Sequence, residues 1–192
     1  MKVIAFNGSP RAKGNTQTAL GIVCGELEKE GIETEIVRIG HKLVRGCLAC
    51  YECYKTKDGT CSNKKDDVND WIAKMIAADG IILASPTYVS NVSAPTKALI
   101  DRACLVVRAS GSLLRRKVGT SVTAVRRAGA LPAFDAMNHF FTIAEMMVVG
   151  SSYWNLAIGR EPGDILKDEE GVKTFQTLGQ NMAWLLQKVN AS

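Results

Sequence analysis

No apolar run in this sequence approaches the ~20 residues that span a bilayer, so a membrane helix is not expected. The opening stretch, MKVIAFNGSPR, has an apolar part too short for a signal-peptide core. Both features favour a cytoplasmic protein with no membrane partner. Low-complexity tracts, internal repeats and linker-like composition breaks are missing too. The 192 residues (1–192) are therefore read as one domain with one substantial core. Histidine is scarce: His41 and His139 stand apart, with no serine or cysteine triad pattern around them. Each is assigned a capping, surface or core role. The net charge is +5, with short basic runs at Arg115–Lys117 and Arg126–Arg127. There is no basic stripe with interleaved aromatics, so nucleic acid is not a partner. The first run reads as a solvated strand end.

Cysteine is what the sequence has in unusual density. Four of six cysteines fall within CLACYECYKTKDGTC: Cys47, Cys50, Cys53 and Cys61. A reducing compartment disfavours disulfides, so clustered thiols there point to metal or redox chemistry. Three cysteines at two-residue spacing suit an iron–sulfur cube, as in bacterial ferredoxins. Zinc usually takes two separated C-x2-C knuckles, which this run lacks. Free or redox-active thiols stay open as a third reading. Cys24 and Cys104, on helices, read as small buried hydrophobes.

Apolar strand patterns and amphipathic helix patterns alternate five times. KVIAF (2–6) reads as a buried strand, Thr16–Glu30 as a helix burying Ala19, Val23 and Leu27. ETEIVRI is the second strand. A helix capped by Asp66 or Asp67 runs to about Ala78, with Trp71 and Met75 inward. GIILASP, KVGTSVTAV and MVVGS are strands three to five, separated by helices over Pro95–Val107 and 131–146. A last helix, about 167–189, carries the stripe Phe175, Leu178, Met182, Leu185 and Val189. Trp154 and Trp184 are assigned to packing. Central strands apolar on both faces predict a three-layer α/β fold around a parallel sheet. Five such strands favour the flavodoxin-like order 2-1-3-4-5.

The first strand ends in NGSPRAKGNT. Small polar residues that lead straight into a helix present backbone N–H groups and the positive helix end to a phosphate. Ser9, Asn15 and Thr16 add side-chain donors, and Arg11 can pair with the dianion. The loop is neither a Walker A motif nor G-x-G-x-x-G. The loops after strands three and four, SPTYVSNVSAPTKALIDR and TAVRRAG, converge on the same end. Together they predict a pocket for a phosphorylated planar ligand.

GSPRAKGNT, SPTYVSNVSAPTKALIDR and AVRRAG, in this order and spacing, resemble the NADPH-dependent FMN reductase superfamily of flavodoxin-like proteins. The cysteine run resembles its iron–sulfur flavoprotein branch, which carries C-x2-C-x2-C-x4–7-C for a [4Fe–4S] cluster. Cys61 falls at the long end of that spacing. The likeness covers most of residues 1–151. It implies FMN, with Ser9, Arg11, Asn15 and Thr16 at the phosphate and ribityl end. Pro86, Thr87, Tyr88, Val89 and Asn91 would run along the ring, and Ala124, Val125, Arg126, Arg127 and Gly129 would border it. An arginine there would favour an anionic reduced ring, the alternative being a solvated pair. The resemblance also implies a homodimer or homotetramer, with Cys47, Cys50, Cys53 and Cys61 as metal ligands.

In a parallel sheet the loop after strand two opens on the same edge as the phosphate loop. The cysteines are therefore expected on the flavin's rim, in the same subunit or across an oligomer contact. The resulting expectation is an electron-transfer flavoprotein, a flavin-dependent oxidoreductase whose cofactors carry the chemistry and which needs no catalytic side chain. A ferredoxin, a nicotinamide such as NAD(P)H, or a quinone would be donor or acceptor. The alternatives are a cluster-free NAD(P)H-dependent FMN or quinone reductase, and an FMN-binding carrier or sensor without turnover.

Overall fold

The chain is described over residues 1–190 by a computed structural model. Strand β1 (Lys2–Asn7) leads into α1 (Asn15–Lys29), and β2 (Glu33–Arg38) follows. After β2 come a short helix, α2 (Glu52–Thr56), and α3 (Val68–Ala77). Next are β3 (Gly80–Pro86), α4 (Ala94–Ala109), β4 (Val118–Val125) and α5 (Ala130–Ile143). The chain then runs through β5 (Met147–Val148), β6 (Leu156–Ile158), a 3-10 turn at Asp164–Lys167 and α6 (Glu169–Val189).

All pairings in the sheet are parallel, in the order β2-β1-β3-β4-β5, with β6 beside β4. Alternation along the strands divides the core in two. Ile4, Phe6, Ile81 and Leu83 face α3, α4 and α5, where Trp71, Met75, Leu99 and Phe140 meet them. Val3, Ala5, Ile82 and Ala84 face α1 and α6, against Leu20, Val23, Phe175 and Met182. The expected flavodoxin-like order is what forms, because β1 and β3 are apolar on both faces and the helices bring one stripe each.

Three details differ from the sequence reading. The fifth strand is broken. β5 pairs the start of β4 (Val118↔Met147), and β6 pairs its end (Val125↔Ile158). Thr120 and Asn155 fill the interruption: the Thr120 hydroxyl donates to Val149 O, and Asn155 Nδ2 donates to that hydroxyl. The buried stripe of α6 ends on Leu186, while Val189 is exposed. Trp71 is buried, but Trp154 and Trp184 are exposed (48% and 60%), so packing accounts for only the first of the three. No helix among the described residues is long and apolar enough to cross a membrane.

Candidate functional site

The phosphate-type loop is built by close approach. Gly8 N donates to Ala84 O (2.8 Å), which joins the loop to β3. Ser93 Oγ donates to Gly8 O (2.8 Å), which joins it to the start of α4. A Cβ on Gly8 would sit 2.9 Å from both Ala84 O and Ser93 Oγ, and nearer still to Thr96 Oγ1. Gly40, just beyond β2, abuts the backbone of Gly8 and Ser9, where no side chain fits. Within the loop, Asn7 Oδ1 accepts from Ser9 N (2.9 Å) and Ser9 Oγ from Arg11 N (3.2 Å). Helix α1 then begins at the Gly14 cap with no side-chain acceptor for its first amides. An uncapped N-terminus at the mouth of a pocket is a ready anion site.

That pocket has a volume of about 430 Å³, within the range of cofactor sites. It brings together Ser9, Arg11, Asn15, Thr16, Pro86, Thr87, Tyr88, Ala124, Val125 and Arg126 from three loops. Sequence reasoning missed Gly14 and the strip Gly159–Glu161, which closes the wall after β6. A three-residue strand left no periodic signal that would have placed that strip. Asn15 Oδ1 is engaged by Gly163 N (2.8 Å), so this side chain also fastens the strip to α1. The Thr87 hydroxyl is buried without a hydrogen-bond partner. A buried orphan hydroxyl on a pocket-lining residue suits a polar ligand.

Four expected residues are not among those lining the pocket. Arg127 and Gly129 line a neighbouring hollow of about 470 Å³ with Tyr153 and Trp154. The arginine pair is therefore divided between two cavities. Val89 and Asn91 are exposed on a tight turn. Tyr88 and Asn91 exchange both backbone hydrogen bonds (2.9 and 3.0 Å) across Val89 and Ser90, whose φ values are 50° and 53°. For valine that backbone conformation is strained.

The four clustered cysteines line one small hollow of about 30 Å³, with Leu105, Val106 and Arg102 of α4. Cys47 and Cys50 are exposed, Cys61 is half-buried and Cys53 is buried. Burial pushes the Cys53 thiol up from its usual range, while the Ser62 hydroxyl draws Cys50 down. Three non-glycine residues here have positive φ: Ala49 (50°), Tyr51 (56°) and Lys57 (51°). Each costs on the order of 1–2 kcal/mol, which marks a loop shaped against local preference. Asn69 clamps Cys61 from both sides, accepting from its N–H (2.7 Å) and donating to its C=O (2.9 Å). Among the described residues, no group of three or more His, Cys, Asp or Glu converges as on a single metal ion.

Within one chain the hollow shares no lining residue with the pocket. Residues 39–67 fold back along α4 as far as Ser110, whose hydroxyl accepts from Gly59 N. Arg102 lies nine residues past Ser93, about 13 Å along the helix. Asp66 is not simply a helix cap. Its carboxylate accepts from Val68 N (3.3 Å) but also forms a buried pair with Arg102 (2.6 Å). Burial opposes its charge, but Arg102 and the backbone N–H groups of Val68 and Arg45 together outweigh that and hold the carboxyl below its ordinary range. The apolar positions Leu99, Ala103 and Val106 already marked 102 as an inward place on α4, so a charge there was a readable signal. Cys24 is buried, its thiol pushed up to about 11 by desolvation, whereas Cys104 is only half-buried.

Sheet order and a phosphate-type loop at the β1/β3 crossing define a flavodoxin-like α/β protein. More specifically, the chain belongs to the NADPH-dependent FMN reductase family, whose profile matches residues 1–161. It is 38% identical to an iron–sulfur flavoprotein of Methanocaldococcus jannaschii over 95% of this chain and 96% of that one. To an iron–sulfur flavoprotein of Methanosarcina thermophila it is 31% identical, over 98% and 97% of the two chains. Among solved structures, an NAD(P)H:quinone oxidoreductase of Methanothermobacter marburgensis superposes with a TM-score of 0.70. That match covers 95% and 96% of the chains at 16% identity, so it bears on the fold alone.

Proposed function

We propose that this protein is an electron-transfer flavoprotein that carries FMN and a [4Fe–4S] cluster within one flavin-binding domain. The observation that carries the reading is the gathering of four thiols about one hollow in a chain of this family. The names of its relatives support it. The donor set is chemically suited, since four cysteine sulfurs are the usual complement of such a cluster. Two of the four, Cys47 and Cys50, are exposed, which leaves the site open to loading from solvent.

In this reading Ser9, Thr16, Arg11 and the first amides of α1 hold the FMN phosphate. Asn15 holds the wall strip, with its amide nitrogen left to donate. Pro86, Thr87 and Tyr88 lie along one side of the ring and Ala124–Arg126 along the other, with the Thr87 hydroxyl given a partner. Val89, Asn91, Arg127 and Gly129 shape the rim or meet a second molecule. Bound flavin supplies passage between two-electron and one-electron chemistry. The chain's own share is to anchor, to shield and to bias charge through Arg11, Arg126 and Arg160. Acid–base catalysis by a side chain is not required. A nicotinamide such as NAD(P)H, a ferredoxin or a quinone supplies or takes the electrons, and the assembly is a homodimer or homotetramer.

Anaerobically purified protein should show flavin bands above a broad ~400 nm shoulder, with about four irons and four sulfides per chain. Cys53→Ala should abolish the iron and leave FMN bound. Flavin without iron, even after reconstitution, would leave the cluster-free reductase that the family description also supports.

A further inference from the structure

We propose that Arg102 is a positioning residue for the iron–sulfur centre. It binds both ends of the cysteine loop to α4 and donates to the Cys61 sulfur a hydrogen bond that favours the reduced centre. The inference rests on the cluster reading above and goes beyond the ligand set.

Arg102 is 1% exposed, the bulkiest of the fully buried side chains. Its fork is spent on the cysteine segment. Nε donates to Cys61 Sγ (3.3 Å) and Nη2 to Asn63 O (2.9 Å). Nη1 donates to Asp66 (2.6 and 2.8 Å) and to Arg45 O (3.3 Å). Arg45 precedes Cys47, while Asn63 and Asp66 follow Cys61, so one side chain closes the loop at its base.

A loop anchor alone does not call for this residue. A buried ion pair is a weak source of stability, and apolar side chains of similar volume often serve as well or better. What an apolar residue cannot do is direct an N–H at sulfur. Hydrogen bonds to cluster sulfurs are among the levers that set reduction potential. A cluster held by these cysteines would gain one electron on reduction, with no bond broken and no proton moved, and the Arg102 Nε–H···Sγ contact would be strengthened by the added negative charge. Loss of that contact should make the centre harder to reduce. Lysine cannot replace the guanidinium here, because one ammonium cannot serve Cys61, Asp66 and Asn63 in fixed planar geometry.

The test is anaerobic redox titration of the full chain, with dithionite as reductant, following cluster and flavin separately by electron paramagnetic resonance and absorbance. Two variants are compared with wild type. Arg102→Lys keeps a charge beside Asp66. Asp66→Asn combined with Arg102→Gln leaves neither buried charge unpaired. The expected result is full iron in at least one variant, a cluster midpoint shifted to more negative potential, an altered cluster resonance and an unchanged flavin midpoint. A fully loaded variant with the wild-type midpoint and resonance would overturn the proposal. Iron lost from both variants with FMN retained would also overturn it, reducing Arg102 to a structural anchor. Wild-type protein that takes up no iron would refute the cluster reading itself, and the inference with it, before any variant is compared.

Discussion

Adding a single methyl group at Gly8 tests how the flavin loop is held. The alanine Cβ would lie 2.9 Å from Ala84 O and from Ser93 Oγ. Ordinary contact begins roughly 0.5 Å further out, and the Ala84 oxygen belongs to the buried strand β3, which cannot retreat. The loop must move instead. It then strains Gly8 N to Ala84 O and Ser93 Oγ to Gly8 O, both 2.8 Å. Two weakened hydrogen bonds at about 1 kcal/mol each, plus overpacking of about 1–3 kcal/mol, give a loss of about 3–5 kcal/mol in the apoprotein. FMN affinity should fall by about 10- to 100-fold, because the amides around Ser9 no longer converge. Urea unfolding of apoprotein reads the first quantity, and quenching of FMN fluorescence reads the second. Thr96→Ala removes the nearest obstructing atom, so the double variant should lose less than the two single changes together. Gly46, around which a Cβ would meet nothing within 4 Å, is the control. Gly8→Ala within about 0.5 kcal/mol and twofold of wild type would show that loop, β3 and α4 are not locked together.

Other substitutions separate stability from binding. Thr87→Val deletes a buried unpaired hydroxyl. Apoprotein should be equally or more stable by up to about 1 kcal/mol, while FMN binds roughly tenfold more weakly, as melting and titration would read in opposite directions. Val89→Asn relieves a valine at φ 50° and should raise stability by about 1 kcal/mol, a few degrees in Tm. Gly21 and Gly25 on α1 have open space around a Cβ, so alanine at each should add about 0.5–1 kcal/mol by urea midpoint. Asp66 has its carboxyl held below the unfolded value of about 3.9 by Arg102. Its stabilisation is present above about pH 4 and is lost as pH falls through the folded value. Urea midpoints between pH 5 and 3 should therefore drop more steeply for wild type than for Asp66→Asn. Parallel profiles would refute this assignment.

Sequence pattern reached the layers because it is local. Val3 with Ala5 and Ile4 with Phe6 already declare two buried faces. NGSPRAKGNT declares a loop feeding a helix, and the pocket forms there. What escaped depended on distant partners. Leu156–Ile158 is three residues long and becomes a strand only because the end of β4 is left unpaired beyond β5. Gly159–Glu161 follows it into the pocket wall. The cysteine loop does begin at the expected edge of the sheet, but residues 39–67 have the length to turn back along a neighbouring helix. The strand-order rule fixes where a connection starts and not where its middle packs. Arg102 was the sign of that packing, a charge set in the apolar stripe of α4.

Helix α4 thereby joins two halves that look independent in sequence. At its start Ser93 holds Gly8, the turn of the phosphate-type loop. Two and a half turns later Arg102 holds Cys61, Asn63 and Asp66. Leu99 between them, and Ala103 and Val106 just beyond, press the helix into the core. A packed helix is a stiff spacer, and this one sets about 13 Å between the two anchoring residues. The loop of the pocket and the loop of the thiol hollow are therefore both fastened to one element. The exposed Cys47–Cys50 side is then the approach left open to a second molecule.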